Sequence, residues 1–248
     1  MTRSGRSARQ VEYDRIAPTY DRRFAHSPMH GVACALQSWA RALEAVDILE
    51  VGCGTARYLA DMPLDDGRRC GLDLSIGMLE EARRRGRALH LVQGRARQLP
   101  FPRDAFDIIY CFNAIHHFDD PRGFIEEAHR CLQSRGALAV IGSDPHDGHG
   151  ASYIYDYFEG TLETDLRRFP SWGTVLDWMV STGFEAVDFH WVERIHDPKM
   201  GQEVLDDPFL RKDACSQLTL LSDDAYAAGM RRIEAALARA AATGEDVV

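Results

Sequence analysis

Between Val46 and Gly142 short apolar runs alternate with stretches of helical periodicity, and this alternation constrains the fold more than any other feature of the chain. Strands that follow one another in parallel cannot be joined by a tight hairpin and need a crossover, usually a helix. Five strands are predicted, over 47–51, 69–74, 89–93, 106–112 and 137–142. Several are too apolar to leave one face in water, so helices must cover both sides of the sheet. Ser75 suits the N-cap of one such helix, which carries Met78, Leu79 and Ala82 on one face and stops at Gly86. Pro121 opens another, which carries Phe124, Ile125, Ala128 and Leu132 and ends before Gly136. Ahead of the first strand, Val32, Ala35, Leu36, Trp39 and Leu43 recur at helical spacing.

Beyond Gly142 the pattern loosens. A polar loop over 143–150 precedes an aromatic-rich helix over 153–166 and a second helix over 174–182. Alternating Val187, Phe189, Trp191 and Val192 predict a strand over 184–195. Residues 198–216 carry no clear period, and a final helix spans 223–242. At 248 residues the chain suits one domain with a sizeable core. Its expected parts are an N-terminal lid and helix (1–45), a core (46–142), a substrate-side insertion with a late strand (143–221) and a C-terminal helix (222–248).

A net charge of −9 offers no broad basic surface, which disfavours nucleic acid as a partner. Arg3, Arg6, Arg9, Arg15, Arg22 and Arg23 are interrupted by Glu12, Asp14 and Asp21, the pattern of a solvated tail. Six scattered cysteines without a C-x-x-C pair fit reduced thiols in a cytoplasm. The apolar runs are strand-sized, far short of the roughly 20 residues a membrane helix needs, so no membrane span is expected.

The first predicted strand runs Ile48-Leu49-Glu50-Val51 into Gly52-Cys53-Gly54-Thr55-Ala56-Arg57. Glycines at this turn let a nucleotide-like cofactor approach the backbone, although a bare strand-to-helix turn would read the same way. Asp73 closes the second strand about twenty residues on, where a carboxylate can accept hydrogen bonds from both ribose hydroxyls. A dinucleotide would call for a third glycine, and Arg57 stands there. Glu50 suits a cofactor that carries an ammonium group rather than a pyrophosphate.

With these features the sequence resembles the class I S-adenosylmethionine-dependent methyltransferases, in particular their small-molecule branch. The resemblance runs from Tyr13 to Gly142 in ordered blocks. These are Tyr13-Asp14-Arg15-Ile16-Ala17-Pro18-Thr19-Tyr20-Asp21, Glu50-Val51-Gly52-Cys53-Gly54-Thr55, and Gly71-Leu72-Asp73-Leu74-Ser75 with Met78-Leu79. Leu99-Pro100-Phe101 before Phe106-Asp107, and Arg130-Cys131-Leu132 before Gly136, complete them. It implies an α/β, Rossmann-like methyltransferase fold: a mostly parallel twisted sheet, helices on both faces and a helical cap. It implies S-adenosyl-L-methionine as cofactor, bound by Tyr20, Glu50, Gly52, Cys53, Gly54, Asp73, Leu74, Met78, Arg95, Ala96 and Asn113. In that reading Gly52 and Gly54 pass beneath the cofactor, Glu50 orients its amino-acid end and Asp73 binds the ribose. Leu74 and Met78 pack on the adenine, unless they are plain core. Arg95 departs from the acidic residue the family often has there. It leaves adenine recognition to stacking or to the backbone near Ala96.

After the fourth strand Asn113-Ala114-Ile115-His116-His117-Phe118 lies at the carboxyl end of the sheet, where open α/β folds bind ligands. The resemblance puts Asn113 near the methionine part and both histidines near the methyl group. Methyl transfer from a sulfonium needs positioning above all, and a base only for an acceptor that arrives protonated. His117 is the candidate base and His116 its neighbour, with pocket shaping as the competing role. Asp144-Pro145-His146-Asp147-Gly148-His149 gathers metal-ligand types, but no metal is expected because a polar loop collects such residues anyway. Tyr13 and Tyr20 should close the substrate pocket, with Tyr153, Tyr155, Tyr157, Phe158, Trp172 and Trp178 lining it or filling the cap's own core. The expected acceptor is a small molecule. The alternatives are a non-methylating reaction of the same fold, cyclisation or decarboxylation, and a macromolecule methyltransferase. Only 245–248 follow the last helix where the family often has an edge strand, which would leave an edge open to a homodimer.

Overall fold

The computed structural model describes residues 11–24, 29–63, 67–85, 88–148, 153–195 and 199–243. Arg3, Arg6, Arg9, Gly86, His149 and the stretch 245–248 lie outside the described residues. A lid leads the chain, made of helix α1 (Tyr13–Ile16) and a 3₁₀ segment (Ala17–Phe24). The core follows as α2 (His30–Ala42), β1 (Ile48–Val51), α3 (Arg57–Ala60), β2 (Arg69–Asp73), α4 (Ile76–Arg84), β3 (His90–Gln93), β4 (Phe106–Phe112), α5 (Pro121–Cys131) and β5 (Leu132–Ile141). The cap comprises α6 (Tyr153–Tyr157), α7 (Thr161–Arg168), α8 (Trp172–Thr182), α9 (Ser216–Thr219) and α10 (Asp223–Thr243), with 3₁₀ turns at Gly201–Val204 and Pro208–Leu210.

The five strands pair in the order β3-β2-β1-β4-β5, and every pairing is parallel. The chain therefore starts in the middle of the sheet and turns back on itself between β1 and β4, the point at which open α/β sheets bind ligands. One face is buried by α2, through Val32, Leu36 and Ala40, together with Tyr58, Leu59 and Met62 around α3 and Ala82 of α4. The other is buried by α5, through Phe124, Ile125 and Ala128, and by Val175 and Met179 of α8. A third cluster joins Ile154, Phe158, Leu210, Leu218 and Ile233 inside the cap. Ser75 caps α4 as expected, its Oγ accepting from Met78 N at 3.1 Å, and α5 opens at Pro121 with a cap the sequence reading did not name, Asp120 Oδ1 accepting from Gly123 N at 2.9 Å.

Three expectations need correction. The single helix over 153–166 is two helices, because Gly160 takes φ +80° and breaks the ladder. Residues 184–195 form no strand. Strand pairing needs a row of backbone partners, and this segment makes none with β5. It instead places Phe189 against Trp172, and Glu193 Oε2 accepts from Gly31 N at 2.6 Å. Trp191 is left 60% exposed, so side-chain alternation alone did not bury one face. Finally, α5 ends at Cys131 and β5 begins at once, five residues ahead of the expected start, with its register against β4 slipping between Phe106 and Ile108. No described helix is long and apolar enough to cross a membrane.

Candidate active site

The carboxyl ends of β1, β2 and β4 converge on the turn after Val51. Gly52 (φ +72°) and Gly54 (φ +53°) are left-handed, and a Cβ on Gly52 would stand 2.6 Å from that of Ala114. Only glycine makes this cradle without strain. Asp73, at the end of β2, accepts from Gly54 N and Ser75 N, each at 2.8 Å, so its carboxylate ties two crossover loops together. Burial raises its pKa against these backbone donors. Glu50 is 3% exposed and lies beside Tyr110 in the β1–β4 register, whose hydroxyl donates to Glu50 Oε2 at 3.0 Å. Burial pushes the Glu50 carboxyl up to about 8. A buried carboxyl of this kind gains most from a cation.

These features fit S-adenosylmethionine: a side-chain-free cradle, a carboxylate at the tip of β2 and a buried carboxyl that an ammonium group would ionise. Among the other expected contacts, Leu74 is 46% exposed and available, whereas Met78 is 1% exposed and presents no face to solvent. Cys53 is buried with its sulfur against Gly71, and Ala96 is buried. Arg95 turns outward to Asp119 Oδ2 at 3.4 Å, which Arg97 shares at 3.1 Å. Asn113 sits at φ +47° and its amide bonds Ile141 O at 2.9 Å, fixing the exit from β4.

The lid folds over this turn. Asp14 Oδ1 accepts from Ser75 Oγ at 2.5 Å and Gly77 N at 2.9 Å, pinning the lid to the start of α4. Asp21 pairs with Arg85 and accepts from Thr55 Oγ1 at 2.7 Å, a second latch. Closed in this way, the lid brings Tyr13 to His117, with the phenol oxygen 2.6 Å from Nε2, and sets Tyr20 edge-on to Tyr13. His116 stacks on Phe169 of the cap, centroids 3.8 Å apart and planes 11° from parallel. Burial, then the guanidiniums of Arg168 and Arg23, pull His117 down to about 3. Burial, then His117, Arg168 and Arg23, depress His116. Burial raises the Tyr13 phenol. Both histidines are therefore neutral at physiological pH. A cleft of about 1680 Å³ runs from Tyr13, Tyr20 and His117 past Asn113 and Tyr153 toward Trp172. It continues along β5 to Gln133 and Arg103 at the opposite end of that strand, so this volume is that of a long groove of which the Tyr13–His117 end is one part.

Asp144 and His146 are engaged locally: His146 Nδ1 lies 2.7 Å from Asp144 Oδ1, its Nε2 3.1 Å from Leu166 O, and Asp144 Oδ2 accepts from Trp172 N at 2.8 Å. They join the loop to α8 and have no ring nitrogen to spare. All six cysteines are unpaired. Sequence reasoning did not name Tyr110 and gave no role to Asp14 and Asp21, although both aspartates stand in the first block of the resemblance. Tyr110 left a signal of its own, since a tyrosine in a buried strand needs a partner for its hydroxyl.

Comparison with known proteins agrees with this geometry. Residues 49–140 match the model of a family described as a methyltransferase domain. A solved S-adenosylmethionine-dependent methyltransferase of Thermotoga maritima, a possible histamine N-methyltransferase, is 26% identical. The match covers 70% of this chain and 80% of that one with a TM-score of 0.53. The chain is an S-adenosylmethionine-dependent methyltransferase with a Rossmann-like fold. Among its relatives, the demethylmenaquinone methyltransferase of Listeria welshimeri is 25% identical over 209 residues, 71% of this chain and 87% of the relative. A candidate methyltransferase of an antibiotic biosynthesis pathway in Anabaena variabilis shares the fold at 18% identity and a TM-score of 0.63. That alignment covers 86% of this chain and 87% of its own.

Proposed function

We propose that the protein transfers a methyl group from S-adenosylmethionine to a small, planar and largely apolar acceptor held beneath the Tyr13–Tyr20 lid. The observation that carries this reading is the aromatic-lined cleft opening at the carboxyl end of β4 beside the Tyr13–His117 pair. The relatives' names, one for a quinone precursor and one for a possible imidazole amine, support a ring-bearing acceptor.

In this reading Gly52, Cys53 and Gly54 offer backbone to the cofactor, and Glu50 faces its ammonium end. Asp73 binds the ribose hydroxyls, Leu74 and Ala96 border the adenine, and Asn113 and Tyr20 close on the methionine part. When bound, the cofactor supplies an electrophilic methyl on a sulfonium, a leaving group that needs no protonation. The chain's own work is to align the acceptor and to exclude water, which the two lid latches accomplish. Tyr13 and His117 form a neutral hydrogen-bonded pair that orients the acceptor, and His117, held near 3, is too weak a base to take its proton. The test is incubation with methyl-labelled S-adenosylmethionine and a metabolite extract, followed by mass spectrometry. Labelled small molecules are expected, and label found in none of them beyond a boiled control would refute the proposal.

A further inference from the structure

The groove that leads away from the Tyr13–His117 end of the cleft is bordered by every residue of β5 and by every residue of 184–195. β5 is the last strand of the sheet and pairs only with β4 among the described residues. Ile141 O faces β4, where Asn113 N donates to it. In the alternation of a parallel pair the N–H and C=O of Leu138 and Val140 therefore point the other way, into the groove. Opposite them, Trp191 aside, no residue of 185–195 makes a backbone hydrogen bond to the backbone of another described residue.

The segment leaves α8 beside the last turn of α5, from which β5 starts: the rings of His129 and Phe184 lie 5.0 Å apart. It ends against Gly31, in the first turn of α2, and the last turn of α2 leads into β1. The first turn of α2 thus stands toward the carboxyl ends of the strands, and 184–195 runs the same way as β5. Val187 packs on the cluster under α5 and α8, and Val192 on the cluster under α2, so the segment lies level with the sheet and serves both of its faces. It has the course of a strand and lacks a neighbour on which to form a ladder.

Two rows of backbone donors and acceptors that face each other across a groove call for an extended chain between them, since only such a chain pairs with both. An apolar ligand tail would leave both rows unpaired. The molecule carries a suitable chain itself. A two-fold axis normal to the sheet lays 184–195 antiparallel to its copy, and the order across the interface becomes β5, the partner's 184–195, this chain's 184–195, the partner's β5. Each segment fills the other's groove. All three pairings are antiparallel, because β5 and 184–195 run the same way, and the contact is closed and self-complementary. Together β5 and 184–195 reach the roughly 20–30 residues a side of a stable interface. Phe189 and Ile195, now 39% and 60% exposed, gain cover.

We propose that the protein forms a homodimer in which 184–195 of each chain inserts as an antiparallel strand between β5 and 184–195 of the other, making one continuous sheet. The inserted strand closes the groove along β5 and leaves the Tyr13–His117 end open. The contact does not depend on the methyl-transfer reading.

Light scattering and sedimentation equilibrium of the full chain read the oligomeric state, and hydrogen exchange reads the amides of Leu138 and Val140. A mass of two chains is expected, with both amides protected in the dimer and released on dilution. His190→Pro deletes an N–H that has no backbone acceptor among the described residues, whereas in the dimer both edges of 184–195 are paired. The variant should keep its circular dichroism and its S-adenosylhomocysteine affinity while association weakens by about tenfold or more. A monomer at every concentration, a dimer that His190→Pro leaves intact, or a dimer whose two amides exchange freely overturns the proposal. So does a monomer with both amides protected, in which 184–195 has closed on its own β5. Uptake of hexadecanol into the groove of a monomer would assign it to an apolar tail and overturns it too. The exchange measurement needs no variant, so it decides the question even if the proline chain fails to fold.

Discussion

Cofactor binding should release a proton from Glu50. Its carboxyl is 3% exposed, held by one hydrogen bond from Tyr110 and raised by burial to about 8, so at pH 7 it is roughly nine-tenths protonated. An ammonium group brought beside it favours the carboxylate, and even a shift back to its ordinary 4.5 leaves it almost wholly ionised at that pH. S-adenosylhomocysteine binding at pH 7 should therefore release about 0.9 proton per site, falling toward zero above pH 9. Isothermal titration in buffers of different ionisation enthalpy measures this number directly, and Glu50→Gln should abolish it. In the free protein the same group sets a stability slope. The unfolded carboxyl titrates near 4.5 and the folded one near 8, so between these values the folded chain holds the extra proton and stability falls as pH rises. The fall is on the order of a few kcal/mol and level outside the window. Binding heats that are identical in all buffers, with Glu50→Gln indistinguishable from wild type, would refute the placement of the ammonium end at Glu50.

Asp73→Ala removes the acceptor shared by Gly54 N and Ser75 N as well as the proposed ribose contact. S-adenosylhomocysteine affinity should fall by roughly 1.5–3 kcal/mol, about 10- to 150-fold, and an unchanged calorimetric affinity in a folded variant would put the ribose elsewhere. Because His117 is held near 3, kcat/KM should show no imidazole titration between pH 5 and pH 8, and a His117-dependent acid limb in that range would contradict its neutrality. A Cβ on Gly229 of α10 would overlap the Phe158 ring, so Gly229→Ala should lower stability by about 1–3 kcal/mol in thermal or denaturant unfolding while a cofactor-site readout stays intact.

The sequence by itself determined what depends on neighbours a few residues apart. Strand and helix periods, the Ser75 cap, Pro121 at the first turn of α5, and the glycine turn after Glu50 are short-range properties, so the sheet and its cofactor cradle were legible from the chain. The break at Gly160 was less so, since a glycine inside a helical period costs only about 1 kcal/mol and the period alone does not reveal it. Tertiary structure decided the rest. Residues 184–195 have the alternation of a strand, but a strand exists only where another backbone offers its row of donors and acceptors. Tyr13 and His117 stand 104 positions apart, and only closure of the lid puts a phenol against that imidazole. The same holds for Arg23 and Arg168, ordinary surface arginines in sequence. The lid and the cap bury their Nε atoms without partners among the described residues, and burial is something no local pattern encodes.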